Sequence, residues 1–129
     1  MHDFETAIYD ELATQLESQF DGLTVVTTDL PGDPTFPVAQ FRPVDYTPDT
    51  SGAESGDPEV RTITLWELQS YSNRTRREAK AIAVAADALM QSWGWQRTTL
   101  APVESGDRTI RRFVARWRGA VDAEGNVSR

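Results

Sequence analysis

The chain has 129 residues, of which 39% are hydrophobic, and a formal charge of −7. That is one ordinary domain with enough apolar matter for one core, which excludes a disordered chain and a protein that coats nucleic acid with a uniformly basic surface. The absence of cysteine and the single histidine, His2, exclude a disulfide framework and a thiolate metal site, and leave almost no room for a histidine relay.

The first segment, Asp3 to Phe20, predicts a helix. Phe4, Ile8, Leu12, Leu16 and Phe20 fall every fourth residue, while Asp10, Glu11 and Glu17 lie off that stripe on a solvated face. Leu23 to Thr28 is short and β-branched, a strand. Leu30 to Pro34 is dense in turn formers. Phe36 to Val44 is a second strand whose Pro37 and Pro43 predict an edge or interrupted position. The stretch 45–58 holds Pro48, Gly52, Gly56 and Pro58 with four acids, Asp45, Asp49, Glu54 and Asp57, and predicts a long mobile acidic loop. Glu59 to Ser70 is apolar on both faces in its middle, as a central strand is. Tyr71-Ser72-Asn73 is expected to turn the chain.

A second helix follows. Thr75 and Glu78 form a capping box, in which Glu78 is expected to reach back to the cap. Ala79, Ile82, Ala83, Ala86, Leu89, Met90 and Trp93 recur at three- and four-residue steps, and Gly94 is placed to end the helix. The small alanines suit close approach to a flat sheet. Trp95 to Leu100 is a fourth strand, 102–107 a turn, and Arg108 to Ala120 a fifth strand. Phe113, Ala115 and Trp117 point to one side of that strand, and Arg112, Val114, Arg116 and Arg118 to the other. Residues 119–129 read as a C-terminal arm or small hairpin. The predicted architecture is α+β: one domain over 1–129, order α-β-β-β-α-β-β, with two helices on one face of a mostly antiparallel or mixed sheet of about five strands.

Three groups of residues invite a chemical reading. Asp57, Glu59 and Glu67 with Lys80 resemble the acids and base of a metal-dependent nuclease, but Gln69 stands where such sites want a lysine, so scattered surface acids are the better reading. Arg108, Arg111, Arg112, Arg116 and Arg118 are five of the thirteen basic residues, gathered on one strand. They suit head-to-tail self-association with an acidic surface, ahead of plain solvent exposure and of phosphate binding. Among the tryptophans, Trp93 and Trp117 read as core, and Trp66 as core or interface. No phosphate loop, hydrolase serine or dinucleotide motif is present, so no catalytic residue, metal or cofactor is expected. No apolar run approaches membrane length and the start lacks a basic-then-apolar leader, so a soluble protein made in the cytoplasm, with no membrane partner, is expected.

The early Phe36-Pro37 pair, Tyr71-Ser72-Asn73, the capped Glu78-Ala79-Lys80-Ala81-Ile82-Ala83 helix, Gly94-Trp95-Gln96-Arg97-Thr98 and the closing Arg112-Phe113-Val114-Ala115-Arg116-Trp117-Arg118-Gly119 strand together resemble the tail terminator (tail-to-head joining, tail completion) proteins of long-tailed bacteriophages. The resemblance runs from about Ile8 to Val121 and rests on order and spacing. It implies a structural virion protein, not an enzyme, that forms a ring, commonly a hexamer. The ring would cap the tail tube, stop its growth and join tail to head. The implied partners are further copies, the major tail tube protein and the head-tail connector or stopper protein, with DNA only as cargo passing through the pore. A head-completion or minor capsid adaptor of the same neck is the alternative, and a metal-dependent nucleic-acid-processing domain a more distant one. The contacts are expected from Arg108, Arg111, Arg112, Arg116 and Arg118, and from Asp45, Asp49, Glu54 and Asp57.

Overall fold

A computed structural model describes residues 4–27, 35–49, 61–104, 109–121 and 127–128. Along the chain these form α1 (Phe4–Gln19), β1 (Thr24–Val26), β2 (Val38–Asp49), β3 (Arg61–Ser72), α2 (Arg76–Ser92), β4 (Gln96–Val103), β5 (Arg111–Val121) and β6 (Val127–Ser128). The sheet runs β1-β2-β3-β5-β4, with β6 pairing the end of β5. β1 is parallel to β2 and the remaining pairs are antiparallel, so the sheet is mixed. The α+β class, the single domain and the helices packed on the sheet match the reading from sequence.

Both helices contribute to one core. α1 buries Leu12 and Leu16 against β1 and β2, and α2 buries Ala79, Ile82, Ala83, Ala86 and Met90 against β3, β5 and β4. The alanines let α2 come so close that Ser70 on β3 donates its hydroxyl to the Ala79 carbonyl at 2.7 Å. Trp66, Trp95 and Trp117 fill the centre of the core. Phe41 stacks on Trp66 at 4.6 Å between ring centroids, and Trp95 meets Trp66 edge-on at 6.3 Å. Trp66 is therefore core rather than interface, while Trp93 is only half-buried at the core margin.

Helix α2 ends as its sequence demands. Gly94 takes φ 96°, and the amides of Gly94 and Trp95 return to the Gln91 and Met90 carbonyls, a motif that seals the last turn. Its start differs from the predicted capping box. Thr75 accepts from the Glu78 amide, but Glu78 reaches to the Ser72 hydroxyl, which itself accepts from the Thr75 amide at 3.3 Å. Ser72 intervenes because β3 runs two residues further than expected, so that Tyr71 and Ser72 are strand rather than turn.

Other boundaries also move. β2 is not an edge: it lies between β1 and β3. It accommodates Pro43 at a bulge between Pro43 and Asp45, where one residue escapes the ladder and a missing N–H costs little. β2 continues to Asp49, so 45–49 of the expected loop is strand, while 50–58 lies outside the described residues. β1 is shorter than predicted. β4 extends through Pro102 to Val103, which replaces the start of the predicted turn, because an edge strand tolerates proline. β5 begins at Arg111, and the tail returns as β6, pairing Ala120 with Ser128 as a hairpin. No described helix is long and apolar enough to cross a membrane.

Candidate functional site

Strand alternation and register build a polar cluster on the sheet face that neither helix covers. Trp66, Leu68 and Ser70 of β3 pair with Trp117, Ala115 and Phe113 of β5 and point into the core. The residues between them point outward in matching rows: Tyr71 with Arg112, Gln69 with Val114, Glu67 with Arg116 and Leu65 with Arg118. β2 adds Arg42 beside Glu67 and Gln40 beside Gln69.

These side chains form one connected network. Arg116 donates Nε to Glu67 Oε2 at 2.7 Å, and Gln69 donates its amide to Glu67 Oε1 at 2.6 Å. The Gln69 carbonyl oxygen accepts from Arg112 Nε at 2.9 Å, from Arg112 Nη2 and from the Tyr71 hydroxyl at 2.9 Å. The Arg112 guanidinium also lies over the Tyr71 ring, 5.3 Å from its centroid. Glu67 is buried, so its charge needs the arginine. Arg116 meets it through Nε, and about half of its side chain stays exposed (47%). The network thus turns two flexible side chains into oriented donors. Arg42 Nε is buried without a hydrogen-bond partner among the described residues.

The expected contact residues fare differently. Arg112, Arg116 and Arg118 share the outer face, as the alternation predicts. Arg118 is exposed and has no ionic partner among the described residues. Arg111 is exposed but belongs to the other face, opposite Ser72. Asp45 is exposed on the outer face in the same row as Leu65 and Arg118, two strand spacings or about 10 Å from the arginine. Asp49 lies in β2 opposite Arg61. Arg108, Glu54 and Asp57 lie outside the described residues.

The nuclease-like set is not assembled among the described residues. Both Glu67 oxygens already accept hydrogen bonds, and Lys80 is exposed on α2, across the sheet from Glu67. No group of three His, Cys, Asp or Glu side chains with metal-site spacing occurs among the described residues, and Asp57 and Glu59 lie outside them. A shallow cavity of about 180 Å³, lined by Thr6, Tyr9, Thr27, Pro43 and Trp66, opens between α1 and β2. Burial, and then the nearby Glu17 and Asp10 charges, raise the Tyr9 phenol above its ordinary value of 10.0.

Sequence reasoning missed a second buried carboxylate, Asp87. It accepts from Trp117 Nε1 at 3.0 Å, from Arg97 Nη1 at 3.0 Å and from Gln91 Nε2 at 2.9 Å. The signal was available: Asp87 is four residues after Ala83 and three before Met90, on the apolar stripe. No family model matches the chain, and no curated protein matches it in sequence.

Proposed function

We propose that this protein is a structural component of the neck or tail of a long-tailed bacteriophage, of the tail terminator kind. Copies assemble side by side into a ring, a hexamer by the family resemblance, on the end of the tail tube. The ring stops tube growth and offers the head connector or stopper a matching surface, with DNA passing through as cargo. The protein is made in the bacterial host and resides in the virion.

The observation that supports this reading best is the outer sheet face. The helices complete the core on one side only, and the other side carries Arg112 and Arg116 braced by Gln69 and Glu67. Oriented cations on a rigid sheet suit repeated contact with an acidic neighbour, and a chain of charge −7 supplies acids on every further copy. The reading is tested by deleting the gene from its phage and examining the particles by electron microscopy. Tails of unregulated length that fail to join heads are expected, with rescue by the wild-type gene and weaker rescue by the double variant Arg116→Glu, Arg118→Glu. Tails of normal length joined to heads without the gene would overturn it.

A further inference from the structure

The start of α2 breaks a local rule. The positive end of a helix dipole favours acids, yet the positions around it are Arg74, Arg76, Arg77 and Lys80, with Glu78 the one acid of the first turn. All four cations are exposed. Arg74 reaches Glu78 at 3.0 Å, while Arg76, Arg77 and Lys80 have no ionic partner among the described residues. The other end of α2 has no basic residue in its last turn. The charge along this helix therefore opposes its own dipole, a local cost that a partner's acids would offset.

The complementary surface lies on the same helical layer. α1 contains no lysine or arginine from Phe4 to Gln19, and it exposes Asp10, Glu11 and Glu17, with Asp21 just beyond. α1 lies over β1 and β2, and α2 over β3, β5 and β4, so the acidic and basic helices flank opposite lateral sides of one sheet. Arg111, opposite Ser72 at the end of β3 that leads into α2, adds to the basic side.

We infer that the acidic outer face of α1 in one copy docks on the basic start of α2, at Arg76, Arg77 and Lys80, in the next copy. This head-to-tail contact uses two different patches, so it repeats from copy to copy and makes a ring where the rotation between copies closes. It rests on the self-assembly reading above and names the surfaces that make the lateral contact. Arg112 and Arg116 lie on the opposite face of the sheet, so this lateral contact is separate from any made there, and Arg76, Arg77 and Lys80 have no ionic partner among the described residues. A second copy is favoured over a nucleic acid because the acids that match the patch are carried by the chain itself, at net −7.

The test is a reciprocal charge swap on the full chain, read by mass photometry and sedimentation over a range of concentration and salt. One variant is Arg76→Glu with Arg77→Glu, the other Asp10→Lys with Glu11→Lys. Each alone is expected to weaken self-association at least about tenfold, and mixing the two to restore it. The arginine variant should also melt at a higher temperature than wild type, since acids suit that helix end, and this separates lost contact from lost fold. A wild type that associates, with both variants associating equally well, overturns this interface alone. A wild type that stays monomeric at every concentration and adds no ring to tail tubes overturns the self-assembly reading with it. Loss of duplex-oligonucleotide binding in the arginine variant, with self-association intact, makes the patch a nucleic-acid contact and overturns the inference.

Discussion

Two buried carboxylates lie on opposite faces of this sheet, and each meets an arginine. Asp87, on the helix side, is held by the Trp117 indole of β5, Arg97 of β4 and Gln91 of its own helix. The Trp117 and Arg97 bonds cross between layers, so they clamp α2 to two strands. Glu67, on the outer side, is held by Gln69 of its own strand and Arg116 of the adjacent strand. Those bonds stay within one sheet and join nothing that the ladder does not already join. The same chemistry therefore secures the fold on one face and orients surface cations on the other.

The sharpest way to break this contrast is to remove each acid in turn. Asp87→Ala leaves the buried Trp117 N–H without an acceptor and frees Arg97, and is expected to cost about 3 kcal/mol in urea unfolding. Glu67→Gln keeps the shape and loses the charge. Because Arg116 is about half exposed and screened, a double-mutant cycle with Arg116→Met should return a coupling of about 1 kcal/mol or less. A coupling as large as the Asp87 loss would mean that the outer pair also holds the fold together.

Thr64 sharpens the comparison from the other direction. It is fully buried on the helix-side face, and its hydroxyl has no partner among the described residues. Thr64→Val removes that orphan at nearly constant volume and should stabilise the domain by about 1 kcal/mol in thermal or urea unfolding. A loss would point to an acceptor that the folded chain does supply.

The smallest effect concerns Tyr9, which donates to the Val25 carbonyl at 2.8 Å. Its raised value means that the folded state keeps the phenol proton after the unfolded chain has begun to release it. Its contribution is thus whole below pH 10 and is lost as pH rises from about 10 through the higher folded value. The wild-type stability lead over Tyr9→Phe, measured at pH 8 and again above pH 10, should shrink at the alkaline end. A lead that grows there would reverse the assigned sign.

Much of this was legible before the fold was known. The α2 stripe from Ala79 to Met90, its end at Gly94 and the facing of Phe113, Ala115 and Trp117 all follow from periods of 3.6 and 2. The proline rule left β2 an edge or an interrupted strand, and the second alternative holds: Pro43 falls at a bulge inside the sheet, a choice that a single strand does not announce. The arginines of β5 could be seen, but not their partners. A slip of one residue between β3 and β5 would send Glu67 to the core and Trp66 to solvent, so the Glu67–Arg116 pair exists only once register is set. The place of Asp87 on the apolar stripe of α2 was legible, but its partner Trp117, thirty residues away in the chain, was not.

By itself, then, the sequence determined the two helices and the five main strands, which face of each is apolar, and where α2 stops, because all of these depend on neighbours within a turn or two of the chain. Only the tertiary structure decided the order β1-β2-β3-β5-β4, the inner place of β2 and the setting of the two acids. Strand order and register are chosen by the joint packing of Phe41, Trp66, Trp95 and Trp117, residues that come from four separate segments and meet only in the folded core.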